Sequence, residues 1–169
     1  MDIASRPSTP IENTQAADAA APPQAPAVIR REDYRAPDWF VPEIALDFAL
    51  DLDTTKVTAT LEVRRNAKGG GDNTLRLNGD GIAARSVLVD GQAANDWRMD
   101  GQDLLIELSG ETHTIEIETL INPAGNSQLM GLYASNGMLC TQCEAEGFRR
   151  IAFFPDRPDV LSTYRVRME

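Results

Sequence analysis

Between Ile44 and Val63 apolar and polar residues change places at almost every step. Ile44, Leu46, Phe48, Leu50 and Leu52 share one parity, with Ala45, Asp47, Ala49 and Asp51 on the other. A period of two sends successive side chains to opposite faces, so this pattern describes a strand with one buried face. Asp53-Thr54-Thr55-Lys56 reads as a turn, after which Val57, Ala59, Leu61 and Val63 alternate with Thr58, Thr60, Glu62 and Arg64. Two such runs around a turn predict an antiparallel hairpin. Shorter alternations follow at Leu75 and Leu77, at Val87 and Val89, at Leu104, Ile106 and Leu108, and at Ile115, Ile117, Thr119 and Ile121. Asp90-Gly91 and Asp100-Gly101 are turn dipeptides of the hairpin type. No stretch has the period of an amphipathic helix, and no segment repeats. The expected fold is all-β, an antiparallel β-sandwich or saddle of about eight or more short strands. One apolar and one polar side per strand fits sheets with a solvated face.

A chain of 169 residues suits one domain plus a tail. Residues 1–28, rich in Ala and Pro, cannot bury enough apolar surface to offset the entropy of ordering, so they read as a disordered tail before a domain at 29–169. The arm at Arg30–Phe40 reads as extended, anchored by Tyr34, Trp39 and Phe40. Twenty-six acidic residues against 16 basic ones give a net charge of −10, which argues against nucleic acid and anionic membrane surfaces as partners. No apolar run approaches the roughly 18 residues of a membrane helix. The acidic N-terminus lacks the apolar run of a signal peptide, so the expected compartment is the cytoplasm. Lys68–Asn73 reads as a flexible loop and not a phosphate loop, because no Gly-Lys-Ser/Thr follows. His113 reads as structural or solvated.

Residues 122–137 break the rhythm with Asn122-Pro123, Gly125-Asn126 and Asn136-Gly137. Chemistry then concentrates in Leu139–Arg150, which holds Cys140, Gln142, Cys143, Glu144, Glu146, Arg149 and Arg150. A structural zinc needs about four ligands, more than these two cysteines and one histidine supply. A redox pair wants a helix N-terminus after a strand, so reduced or locally bridged loop cysteines are the simpler reading. In an extended chain Glu144 and Glu146 would point the same way, with the Gln142 amide on the Glu144 side. A carboxylate beside an amide oxygen suits a protonated amine, which donates three N–H bonds. The alternative is that a glutamate pairs with Arg149 or Arg150 as an ordinary surface ion pair. Alternation resumes at Tyr164, Val166 and Met168, and ending at Glu169 within that pattern suggests truncation.

Thr141-Gln142-Cys143-Glu144-Ala145-Glu146-Gly147-Phe148-Arg149, followed by Asp156-Arg157-Pro158-Asp159-Val160, resembles the N-terminal domain of the bacterial aminopeptidase N family. Tyr34–Asp38, Leu75–Gly79 and Gly131-Leu132-Tyr133 are similar to that family in the same order. The resemblance implies a β-domain that precedes a thermolysin-like catalytic domain of the same parent chain, in a zinc metallopeptidase that removes N-terminal residues from peptides. It assigns Gln142 and Glu144 to the free α-amine of the substrate and gives Glu146 no such role. The family's H-E-x-x-H zinc motif and G-x-M-E-N motif are absent here. Zinc, which polarises the scissile carbonyl and activates water, is therefore expected in the parent enzyme only. This chain alone is expected to be inactive, with no catalytic and no metal-ligating residue of its own. A stand-alone β-sandwich interaction module without catalytic activity is the alternative.

Overall fold

The computed structural model describes residues 30–169; the tail expected at 1–28 lies outside the described residues. The chain divides into two units, one ending at Tyr34 and one spanning Arg35–Glu169. The described part of the first contains one turn of 3-10 helix at Arg31–Asp33.

In the second unit, strands β1 (Trp39–Ala49) and β2 (Thr55–Arg65) form the expected hairpin, with Phe48 opposite Val57. Trp39 and Val41 are buried on one parity, Ile44, Leu46 and Phe48 on the other. The phase changes at a bulge between Phe40 and Glu43. Pro42 sits in this bulge, where a residue without an N–H loses no ladder bond. Of the expected anchors, Trp39 is buried and Phe40 half-buried, whereas Tyr34 in the first unit is exposed. β1 stops at Ala49, before Leu50 and Leu52. The Asp51 carboxylate accepts N–H bonds from Asp53 and Thr54, each at 2.8 Å, and turns the chain, leaving Leu52 exposed.

Further strands are β3 (Thr74–Leu77), β4 (Ala84–Val89), β5 (Gln92–Ala93), β6 (Trp97–Asp100), β7 (Asp103–Glu107), β8 (Thr112–Ile121), β9 (Gly131–Ser135), β10 (Met138–Gln142) and β11 (Thr163–Met168). They form a six-stranded sheet in the order β11-β1-β2-β8-β4-β5, a three-stranded sheet β3-β7-β6 and a two-stranded sheet β10-β9. The fold is all-β, and every pairing is antiparallel except β1 with β11, which is parallel. The larger sheets share one core. Ile44, Leu61, Ile115 and Ile117 face Leu75, Leu77, Leu104 and Ile106, and Ile151–Phe154 joins them from a non-strand segment.

The break read at 122–137 hides β9. Only Gly131 and Leu132 of that strand are buried, so its sequence does not alternate. Asn136-Gly137 is a hairpin turn with φ of 51° and 77°, the conformation that a two-residue connection requires. The loop at 68–73 is pinned, because the Asp38 carboxylate accepts the N–H groups of Gly71 at 2.8 Å and Asp72 at 3.2 Å. His113 is structural: its Nδ1 lies 2.7 Å from the Asp90 carboxylate and its ring tilts against Trp39.

Two predictions follow from this packing. Phe153 is fully buried in the core, so Phe153→Ala should cost about 3–5 kcal/mol in urea unfolding; a loss below about 1 kcal/mol would contradict its place there. The N–H groups of Thr54 and Asp53 hold the Asp51 carboxyl below its ordinary value. A lowered folded-state pKa stabilises above the unfolded value, about 3.9, and that contribution vanishes as pH falls through the folded one. The urea midpoints of the protein and of Asp51→Ala should therefore converge on acidification through that window; a gap that stays constant would refute this account.

Candidate functional site

Strand β10 leads into the candidate residues and ends at Gln142, opposite Gly131 of β9. The start of β9 is held by Asn126, whose side-chain amide donates to the Met130 carbonyl at 2.7 Å and the Leu132 carbonyl at 2.9 Å. After Gln142 the chain turns back on itself, and the Gly147 N–H donates to the Cys143 carbonyl at 2.9 Å. A Cβ on Gly147 would stand 2.4 Å from the Gln142 carbonyl oxygen and 2.7 Å from Cys143 Cα, so only glycine allows this closure. A single 3-10 turn follows at Phe148–Arg150.

Ion pairs and backbone bonds tie this loop to the Asn78–Asp80 segment that follows β3. Arg149 Nε donates to the Asp156 carboxylate at 3.0 Å and its Nη2 to the Asp156 carbonyl at 2.8 Å. The Asp156 N–H donates to Asn78 Oδ1 at 3.1 Å, while Asn78 and Phe154 form an antiparallel bridge. The Asp80 N–H donates to the Arg149 carbonyl at 3.0 Å, and Arg150 pairs with the Asp80 carboxylate. Both Arg149 and Asp156 are mostly buried, at 20% and 16% side-chain exposure. Removing either partner would leave a desolvated charge, which makes such a pair costly to break. The alternation at Leu75 and Leu77 marks a strand, and Asp156-Arg157-Pro158 carries only the family resemblance; no local pattern indicates that the two segments meet.

Gln142 and Glu144 are both exposed at the loop tip. The Gln142 Oε1 accepts the Glu144 N–H at 3.2 Å, which brings the amide over the glutamate backbone. The Glu144–Ala145 peptide is cis. Residues 144–147 form turns, not a strand, so the parity argument that aligned Glu144 with Glu146 does not apply. Glu146 instead pairs with Arg149 at 3.3 Å. Among the described residues the Glu144 carboxylate makes no ion pair, so it is available to an external cation.

Cys140 and Cys143 are free thiols. Burial, and then the charge of Asp156, push the Cys143 thiol pKa up, the opposite of what a redox nucleophile needs. A cleft of about 640 Å³ lies beside the loop, lined by Arg35, Trp39, Arg76, Glu146, Arg149 and Arg157 among others. Neither Gln142 nor Glu144 borders it, and its Arg76 and Arg149 are already paired to carboxylates. Among the described residues the donor set does not fit zinc. The chain has one histidine, and among the described residues no three His, Cys, Asp or Glu side chains are grouped to hold a metal.

A profile of the Peptidase M1 N-terminal domain matches residues 33–169. The chain is 43% identical over 146 residues to aminopeptidase N of Caulobacter vibrioides, covering 85% of this chain and 17% of the relative. Against aminopeptidase N of Escherichia coli the identity is 42% over 145 residues, covering 86% and 16%. The chain thus spans about a sixth of the length of these curated relatives. Among solved structures, Legionella pneumophila aminopeptidase A in complex with aspartic acid superposes with a TM-score of 0.74 at 28% identity, over 81% of this chain and 16% of that one. An M1 zinc metallopeptidase from Deinococcus radiodurans superposes at 0.65 with 18% identity, over 79% and 33%, and shows the shared fold. With the match running through nearly all of the described residues, the chain belongs to the Peptidase M1 N-terminal domain family.

Proposed function

We propose that this chain is the N-terminal portion of a zinc aminopeptidase that removes residues from peptides with a free N-terminus, and that Gln142 and Glu144 bind the substrate α-amine. The observation that carries the site assignment is an exposed Glu144 that makes no ion pair among the described residues, with the Gln142 amide oxygen accepting its backbone N–H, on a loop held by the Arg149–Asp156 pair. A carboxylate and an amide oxygen can accept the N–H bonds of an ammonium group, whereas an acylated N-terminus brings no charge to balance the glutamate. The similarity to aminopeptidase N over more than four-fifths of the chain supports the parent activity. In this reading the catalytic domain and the zinc ligands belong to the remainder of the parent chain, and 29–169 belongs to the N-terminal domain. Two free thiols suit a reducing compartment, so the cytoplasm is part of the same proposal.

In the full-length protein, Glu144→Ala removes a charge-assisted contact of about 1.5–3 kcal/mol, and kcat/KM on an alanyl chromogenic substrate should fall roughly tenfold to a hundredfold. Gln142→Ala removes a neutral acceptor and should cost less, about threefold to tenfold. Undiminished kcat/KM in Glu144→Ala would refute its role. The 169-residue chain itself should neither hydrolyse that substrate nor retain stoichiometric zinc after dialysis, as metal analysis would read. Turnover by this chain alone would overturn the division of labour and favour a self-sufficient protein.

A further inference from the structure

Two Asn-Gly pairs lie among the described residues, Asn78-Gly79 and Asn136-Gly137. Asparagine is thermolabile, and before glycine it is more so, because no side chain keeps the glycine nitrogen from the asparagine Cγ. The dipeptides are identical, so their surroundings decide whether that attack can occur.

Asn78 is locked. Its backbone N–H donates to the Phe154 carbonyl at 2.8 Å, and its carbonyl accepts the Phe154 N–H at 3.2 Å. Its side-chain Nδ2 donates to the Asp103 carboxylate at 3.3 Å, and its Oδ1 accepts the Asp156 N–H at 3.1 Å. Gly79 is buried, and a Cβ there would collide with the Phe153 ring and stand 2.7 Å from the Gln102 carbonyl oxygen. Side chain and backbone would both have to leave these partners before Asn78 Cγ could meet the Gly79 nitrogen.

Asn136 has none of these restraints. Asn136 and Gly137 form the two-residue turn between β9 and β10, and both are exposed. The ladder closes behind them at the Ser135–Met138 pair. Among the described residues the Asn136 amide makes no hydrogen bond, and nothing lies within 4 Å of where a Gly137 Cβ would be. The left-handed φ values of 51° and 77° are those that a two-residue connection demands. Such a turn sets the register of the strands it joins and has no room for an extra main-chain atom.

We propose that Asn136 is a site of spontaneous deamidation, and that its isoaspartyl product unseats the β9–β10 hairpin. The Gly137 amide nitrogen gives its proton to a solvent base and attacks Asn136 Cγ. A C–N bond forms, the Cγ–Nδ2 bond breaks, and ammonia leaves with a proton returned by solvent, so that a cyclic succinimide remains. Water then opens the ring at either carbonyl. Opening at Cγ gives aspartate; opening at the main-chain carbonyl leaves the chain running through Cγ, with an added carbon. Strand β10 pairs with no strand but β9, over Met138–Gln142. The added carbon therefore acts on this ladder as a bulge does, shifting or opening it as far as Gln142.

Incubation of the 169-residue chain at mildly alkaline pH, followed by peptide mapping with mass spectrometry, tests the chemistry. Each native rate, divided by the rate of the same pair in denaturing urea, isolates the effect of the fold. That ratio should be at least about tenfold higher for Asn136 than for Asn78, whose attack waits on opening of the core. Ratios within about twofold of each other, or an Asn136 that stays intact, would overturn the proposal. Hydrogen exchange reads the consequence. The β9–β10 peptides of the isoaspartyl form should exchange at least about tenfold faster than those of the unmodified chain. Asn136→Asp has the new charge without the added carbon and should exchange as the unmodified chain does. Unchanged exchange in the isoaspartyl form would refute the effect on the hairpin, and equal acceleration in Asn136→Asp would refute it by assigning the effect to charge. These readouts need no peptidase activity, so they stand or fall apart from the assignment of Gln142 and Glu144.

Discussion

The apolar face common to β1, β2 and β8 has to be removed from water, and what covers it decides the position of nearly everything else. The three-stranded sheet supplies Leu75, Leu77, Leu104 and Ile106, and the irregular segment Ile151–Phe154 fills the remaining area, with Phe153 fully buried. The Thr119 hydroxyl links β8 to this segment by donating to the Ile151 carbonyl at 3.4 Å. Once Ile151–Phe154 is held, the residues on either side have little freedom. Arg149 and Arg150 emerge at one end and Asp156 at the other, all beside Asn78 and Asp80. The candidate loop is thereby positioned by hydrophobic burial, although its own residues are polar and mostly exposed.

Electrostatics then separates structural charges from an available one. Arg149 satisfies both Glu146 and Asp156, and Arg150 satisfies Asp80. The burial of Arg149 and Asp156 makes their geometry hard to disturb. Glu144 stands outside this network at the tip. On the proposed reading, Glu144 can meet a substrate ammonium without giving up a structural ion pair.

Much of the scaffold was legible from residue patterns, because a sheet with one buried face writes its period directly into the chain. The β1–β2 hairpin and the Asp90-Gly91 turn follow from local rules. The misses have equally local causes. Leu50 and Leu52 keep the parity of β1, but the Asp51 carboxylate captures two backbone N–H groups and ends the strand first. β9 has too small a buried face to alternate. Glu144 and Glu146 were aligned by a parity that holds only in extended chain, and the chain there turns.

Residue order by itself determined the all-β class, the main hairpin and the chemical character of the Gln142–Glu144 segment, since each depends on neighbours a few positions apart. Tertiary structure decided which carboxylate is committed and which is available. The Arg150–Asp80 pair joins residues 70 positions apart, and the Asp156–Asn78 bond joins residues 78 apart. No period or motif encodes such meetings; they arise because one shared core brings distant segments together. The parallel placement of β11 is of the same kind. Alternation marks Tyr164, Val166 and Met168 as one face, but only the register against Ile44, Leu46 and Phe48 reveals that this face continues that of the core.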